Sequence, residues 1–411
     1  MSENVLIETP LGFNLPKDKT ENIIKVIGVG GGGGNAVMNM YRQGICNVAF
    51  AVCNTDSQAL AKCEVPVRVQ LGESGLGTGG DPEKGKQEAE EDLAKIEQLF
   101  QDDTKMVFIT AGMGGGTGTG AGPVIGRVAK ERGILTVGIV TIPFRFEGKL
   151  RIKKALQGVE EMKRNVDALL VINNEKLIDL YGDDMMDTVE ALTKADDILT
   201  VSTKSIAEII TVKGIINRDF KDVQTVMKDG GMSLISVGEA SGEYRIQKAF
   251  MKALESPLLS NLHVNNAKKI LYIIYSGEQN PVGIRELGEI NELMEEFIPD
   301  VEVLWGLYRD DTLDENVKVA IIASGLEEKE HVHTSAQMED DEFYKKMESF
   351  YGIKNKKTEP QKEATIINDE TEETINENDS RSDAAGQSNG FNIFKNLKEQ
   401  LAIFVEKMTE E

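Results

Sequence analysis

Residues 111–122 read AGMGGGTGTGAG, so seven of twelve positions are glycine. The run follows an apolar stretch, Met106-Val107-Phe108-Ile109-Thr110, with the character of a buried strand. Each glycine in a regular element costs roughly 0.5–1 kcal/mol relative to alanine. A second run, Gly28-Val29-Gly30-Gly31-Gly32-Gly33-Gly34-Asn35, follows another apolar stretch at 24–27. Each run opens a helical pattern. Each therefore offers unhindered backbone N–H groups and a positive helix end to anionic oxygens. One such turn can hold a pyrophosphate. Two on adjacent strands, with the hydroxyls of Thr117 and Thr119, suit a longer phosphate chain, because no Cβ atoms stand between amides and phosphate.

A third stretch, GESGLGTGGD at 72–81, also follows a strand and is either a lid over the terminal phosphate or a plain surface loop. The first run alone contains G-x-G-x-x-G, and Asp56 stands at the end of the next strand. That pair fits a nicotinamide-dependent oxidoreductase as a second reading. Residues 80–87 have the spacing of a P-loop. However, Gln87 replaces the magnesium-binding Ser/Thr, and Pro82 and Glu83 occupy positions that need open amides, so the match is chance.

Short apolar runs at 24–27, 48–52, 67–71, 106–110, 136–141 and 168–172 alternate with helical patterns at 35–43, 83–100, 120–132 and 148–165. Such alternation predicts an α/β fold with a parallel sheet covered on both faces. Residues 186–213 read as one long helix. Strands at 232–237, 269–275, 301–308 and 317–323, with helices at 244–254 and 284–297, predict a smaller α+β domain ending near 324.

Beyond Gly325 the composition changes. Residues 326–411 carry 21 Asp/Glu and 11 Lys/Arg, ten of the chain's 23 net negative charges. Residues 355–390 have the polar, charged, aromatic-poor make-up of a disordered segment. Phe394, Leu397, Leu401, Phe404 and Met408 then share one helical face. That face, on the end of a tether, reads as a docking peptide for a partner protein or as a helix returning to the globular part. A net charge of -23 without a basic patch argues against nucleic acid and anionic membrane partners. Cys46, Cys53 and Cys63 lack metal-ligand spacing and read as buried hydrophobes in a reducing compartment. No run approaches a membrane span, and MSENVLIETP lacks a signal pattern, so a cytoplasmic protein is expected.

GGGTGTG at 114–120 resembles the signature of the tubulin/FtsZ superfamily, in its bacterial FtsZ form. IKVIGVGGGGGNA at 24–36, NTD at 54–56, GILTVGIVT at 133–141, PFRFEGKLR at 143–151, ITVKGIINRDFKDVQTVM at 210–227 and SPLL at 256–259 match in order. The resemblance covers about 22–325. It implies a flexible arm at 1–21, a GTP-binding domain at 22–185, a central helix at 186–213 and a GTPase-activating domain at 214–325. A disordered linker at 326–390 and a partner-docking peptide at 391–411 follow. It further implies that Gly31, Gly32, Gly33, Gly34 and Asn35, with Gly114, Gly115, Gly116, Thr117, Gly118 and Thr119, cradle the phosphates of GTP. Asn54 and Asp56 belong to the same pocket. Thr78, Gly79 and Gly80 lie near the γ-phosphate, Glu147 and Arg151 near the ribose and phosphates, and Asn174 and Asp196 at the guanine edge. Mg²⁺ is expected on the phosphates, with no protein ligand. Two positions depart from the pattern: Leu192 where a base-stacking Phe is common, and Asp81 where Asn is common. The tail also lacks the usual proline.

Asn217-Arg218-Asp219-Phe220-Lys221-Asp222 bears on hydrolysis. By spacing alone, Asp219 and Asp222 read as acids at a helix start, complementing its dipole. The resemblance implies instead that this loop enters the next subunit's pocket, where Asp219 and Asp222 orient the attacking water and Asn217 helps. Hydrolysis would then require head-to-tail filaments of the division ring at mid-cell, with membrane-tethering and regulatory division proteins held by the tail. A non-polymerising GTP-binding regulator is the remaining alternative.

Overall fold

Alternation inside each apolar run decides the first half of the fold. The computed structural model describes residues 22–45, 47–176, 178, 200, 203–210, 214–216, 218–254, 267–297, 301–326 and 338–352. All six residues of β1 (Ile24–Val29) are buried. Ile27 and Val29 nevertheless enter one core with Val107 and Ile109, while Ile24 and Val26 enter another with Met106 and Phe108. Successive side chains point to opposite faces of a strand, so a sheet covered on both sides calls for apolar residues at most positions, the exception in β1 being Lys25, whose ammonium pairs with Asp102.

Beside β1 lie β2 (Val48–Asn54) and β4 (Met106–Gly112), both parallel, with Ile24 level with Val48 and with Met106. β3 (Val67–Gln70), β5 (Leu135–Ile142) and β6 (Ala168–Asn173) extend the sheet in the same sense. β7 (Gly231–Ala240), β8 (Lys269–Ser276), β9 (Glu302–Arg309) and β10 (Val317–Ser324) complete ten strands in the order β3-β2-β1-β4-β5-β6-β7-β10-β8-β9. β10 is antiparallel to both neighbours. Only two residue pairs, Ala168 with Gly231 and Leu169 with Met232, join β6 to β7.

Helices α1 (Gly30–Arg42) and α2 (Ser57–Ala61), the helical residues 203–210 and α7 (Phe220–Met227) cover one face. α3 (Pro82–Glu91), α4 (Leu93–Gln98), α5 (Thr117–Glu131), α6 (Lys149–Asn165) and α8 (Arg245–Leu254) cover the other. α9 (Ile284–Phe297) adds Ile290 to that second core. The single helix expected at 83–100 divides at Asp92, whose carboxylate accepts the Gly72 N–H at 2.7 Å and whose backbone leaves helical geometry.

The segment expected to be disordered from 326 contains α10 (Met338–Tyr351), which packs on α6, with Met347, Phe350 and Tyr351 buried. Four aromatic and aliphatic side chains, Phe343, Met347, Phe350 and Tyr351, recur at helical spacing there, and the overall acidity of the region hides them in a composition count. The arm at 1–21, the rest of the central helix, SPLL and the peptide at 391–411 lie outside the described residues, as does Cys46. Cys53 is buried, which pushes its thiol up to about 12, and Cys63 is half-buried. Among the described residues no helix is long and apolar enough to cross a membrane.

Phe108 is fully buried at the centre of β4. Phe108→Ala should cost about 3–5 kcal/mol of stability, read as a lower urea midpoint with an unchanged slope.

Candidate functional site

Two helices begin where two adjacent parallel strands end, and neither has a cap. α1 starts directly after β1, with Val29 as its first flanking residue, no side-chain cap and no acid in its first turn. α5 starts after β4 in the same way, with Gly116 in the capping position and no side-chain cap or acid. By contrast α2, α3 and α7 are capped by the carboxylates of Asp56, Asp81 and Asp219. The first amides of a helix have no partner within it, so an uncapped pair facing one crevice is a site for an anion.

The first glycine run is helix from Gly30 onward rather than a loop, and its glycines divide by task. A Cβ on Gly33 would collide with the Thr110 carbonyl of β4, so Gly33 lets α1 lie against the sheet. Gly34 faces the Val52 side chain. Gly31 and Gly32 are exposed in the first turn, with nothing within 4 Å of a Cβ placed on Gly31. Asn35 is exposed one turn on.

The second run closes on the first. A Cβ on Gly30 would come within 2.9 Å of the Gly118 amide nitrogen. Gly114 has φ +98° and backs onto Arg151 of α6, while the place of a Cβ on Gly115 is open. A Cβ on Gly116 would collide with the Thr78 hydroxyl, which brings the third glycine stretch onto the start of α5. Gly79 and Gly80 are exposed beside Thr78, and Lys154 donates to the Gly80 carbonyl at 2.7 Å. Lys154 was not singled out in the sequence. Its signal is a place three residues after Arg151, on the same helical face.

The threonine hydroxyls already take part in holding the turn. Thr119 Oγ1 accepts the Gly114 N–H at 2.9 Å, and Thr117 Oγ1 lies 2.7 Å from Thr55 Oγ1. Asn54 is buried and accepts the Asp56 N–H, while Asp56 caps α2 by accepting the N–H groups of Gln58 and Ala59. At the end of β5, Glu147 accepts the Phe144 N–H and pairs with Arg151, both at 2.9 Å. After β6, the Asn174 side-chain oxygen is buried without a partner among the described residues. A buried acceptor left open is costly unless a ligand or water completes it. The uncapped amides and this open acceptor fit a nucleotide lying from the α1–α5 crevice toward Asn174. Asp196, Leu192 and Asn217 lie outside the described residues.

Asp219 and Asp222 are not part of this cluster. Asp219 accepts the N–H groups of Lys221 and Asp222, and Asp222 accepts the Asp219 N–H at 3.1 Å, which makes a reciprocal cap for α7. Arg218 beside them donates to the Trp305 carbonyl on β9 and pairs with Asp222 at 3.7 Å. α7 packs on β5, β8 and β10, and among the described residues no hydrogen bond or ion pair joins Asp219 or Asp222 to the glycine turns. Within one chain the acids cap a helix, as their spacing alone predicts.

Comparison with known proteins identifies the family. The model of the tubulin/FtsZ family GTPase domain matches residues 23–182, and that of the FtsZ family C-terminal domain matches 231–327. The cell division protein FtsZ of Porphyromonas gingivalis is 51% identical over 321 residues, covering 77% of this chain and 70% of that protein. FtsZ of Aquifex aeolicus is 42% identical over 312 residues, 74% of this chain and 83% of that protein. An empty FtsZ dimer from M. jannaschii superposes with a TM-score of 0.67 at 34% identity, covering 76% of this chain and 94% of that one. The oxidoreductase reading falls, since a GTPase-domain model takes in the whole glycine-rich half. A guanine nucleotide is thus implied as the ligand of this chain, which belongs to the tubulin/FtsZ family of GTPases.

Proposed function

We infer that this cell-division GTPase completes its active site only between subunits, in head-to-tail filaments. The observation that carries the reading is that the uncapped amides and the Asp219–Asp222 pair are not joined in one chain: the acids cap α7 and make no hydrogen bond or ion pair to the glycine turns among the described residues. A heterologous contact that does not close builds a filament. The similar M. jannaschii FtsZ is itself described as a dimer.

The residues fall into roles. The amides of Gly31, Gly32, Gly115 and Gly116 and the hydroxyls of Thr117 and Thr119 receive the phosphates. Gly33, Gly34, Gly114 and Gly118 set the backbone that presents them. Thr78, Gly79 and Gly80 cover the γ-phosphate, Glu147 and Arg151 flank the ribose, and Asn174 and Asp196 accept from the guanine edge. An acid suits guanine, which presents a donor pair where adenine does not. When bound, Mg²⁺ on the phosphate oxygens supplies charge stabilisation. Asp219 and Asp222 of the adjoining subunit, with Asn217, orient a water for in-line attack on the γ-phosphorus. The bond to the bridging oxygen breaks, leaving GDP and inorganic phosphate. Positioning and charge stabilisation carry most of phosphoryl-transfer catalysis, so two carboxylates suffice as the protein's contribution at the water.

The tail at 391–411 serves as a docking peptide for membrane-tethering and regulatory division proteins. It places the filament at the mid-cell ring on the cytoplasmic face, without membrane insertion or nucleic-acid contact.

Gly116→Ser adds atoms where Thr78 already sits, so it should fold and bind GTP at least about tenfold more weakly in a titration. Unchanged affinity would remove Gly116 from the cradle. Asp222→Ala should bind GTP normally yet hydrolyse it on the order of 10²–10⁴-fold more slowly. In the unaltered protein, GTPase rate per molecule should climb with concentration from near zero. A rate that stays constant through dilution to monomer would end the shared-site reading and favour a non-polymerising regulator. Deleting 391–411 should leave GTPase and assembly in vitro intact and abolish mid-cell rings, scored by fluorescence microscopy.

A further inference from the structure

α10 follows the second lobe in sequence, yet its last turn is built into the nucleotide-side edge of the first. The Asn173 side-chain amide donates to the Phe350 carbonyl at 2.6 Å, and the Tyr351 hydroxyl donates to the Pro143 carbonyl at 2.6 Å. Lys346 pairs with Glu160 of α6 at 3.2 Å. Met347, Phe350 and Tyr351 are buried in the core that α5 and α6 share.

These contacts fall on the two turns that carry the base and ribose wall. Pro143 immediately precedes Phe144, whose N–H holds Glu147, and Glu147 in turn holds Arg151. Arg151 backs onto Gly114 in the phosphate turn. On the other side, Asn173 is fully buried and its oxygen accepts the Glu175 N–H at 2.9 Å. Glu175 accepts the Arg145 N–H at 2.9 Å, closing the two turns on each other. Asn174, with its open side-chain oxygen, stands between Asn173 and Glu175. Burial pushes the Tyr351 hydroxyl's pKa up, and the nearby carboxylates of Glu175 and Glu147 push it further, which keeps it a donor. Without α10, the Asn173 amide and the Pro143 carbonyl would both lose a buried partner.

We propose that α10 is a positioning strap for the nucleotide pocket, with Phe350 and Tyr351 fixing the β5 and β6 turns so that Glu147 and Asn174 meet the nucleotide preorganised. Nothing in the polar, acidic make-up of 326–411 assigns such a role. The strap touches neither phosphate cradle nor attacking water, so it governs how tightly nucleotide is held and not how fast it is cleaved. The inference rests on the placement of Glu147 and Asn174 at the nucleotide.

The test is equilibrium binding of a fluorescent N-methylanthraniloyl GDP to the full chain and to three full-length variants. Tyr351→Phe removes only the hydroxyl and should weaken binding roughly three- to tenfold, the range that loss of one buried hydrogen bond gives. Met347→Asp puts a charge at a buried contact, undocks the helix and should weaken binding more than about tenfold. Lys345→Ala, on the exposed side of the same helix, should bind as the unaltered chain does. In steady state the first two should raise KM for GTP and leave kcat at saturating GTP unchanged, because Asp219 and Asp222 are untouched. A lower thermal midpoint with unchanged GDP affinity in both Tyr351→Phe and Met347→Asp would make α10 a stabilising element only and overturn the proposal. Failure of the unaltered chain to bind GDP would instead overturn the nucleotide-site reading, and this inference with it.

Discussion

The first backbone amides of α1 and α5 have no partner in their own helices, and much of the rest of the molecule is arranged around that deficit. Two helix ends left uncapped in one crevice are unfavourable in an empty protein and favourable around a polyanion. The parallel sheet makes the pairing possible. It brings the ends of β1 and β4 side by side, so that each following helix starts at the same level. The neighbouring helices α2 and α3 satisfy their own amides with Asp56 and Asp81. Negative charge is thereby kept out of the first turns of α1 and α5, where it would compete with phosphate.

Glycine serves two distinct purposes in this arrangement. At Gly33 and Gly116 the chain needs close approach, of helix to sheet in one case and of the Thr78 turn to α5 in the other. At Gly31 and Gly115 the space a Cβ would occupy is open, so no side chain packs beside the amide. The same residue type thus allows close packing at some positions of the candidate site and leaves others open. The entropic cost of so many glycines falls on a segment whose flanking strands are buried on both faces, where packing is strongest.

The proposed division of the active site between two subunits has a structural counterpart in the Asp219–Asp222 cap. A reciprocal cap leaves each carboxylate with further acceptor sites, since an ionised carboxylate offers about four lone-pair positions. The pair can hold the start of α7 in one chain and still present oxygens outward. Arg218, fixed to β9 through the Trp305 carbonyl and to the Tyr308 hydroxyl, sets the angle of that presentation. Rigidity of the cap and function at a neighbour are therefore compatible uses of the same two side chains.

What the sequence determined by itself was set by local periodicity. The apolar runs at 24–27, 48–52, 106–110, 136–141 and 168–172 became β1, β2, β4, β5 and β6, because a two-sided parallel strand leaves no other pattern. The glycine-rich turns were legible as anion sites for the same reason, since their chemistry is backbone chemistry. Tertiary structure decided the rest. Gly30 to Gly34 are poor helix formers, and the helix starts there because the sheet gives it a surface to lie on. The expected helix at 83–100 breaks at Asp92 because a distant amide, Gly72, captures its carboxylate. Lys154 joins the pocket, and Phe350 and Tyr351 reach Asn173 and Pro143, through contacts between residues 74 to 208 positions apart. Periodicity within a window carries no information about such partners; only closure of the chain on itself supplies it.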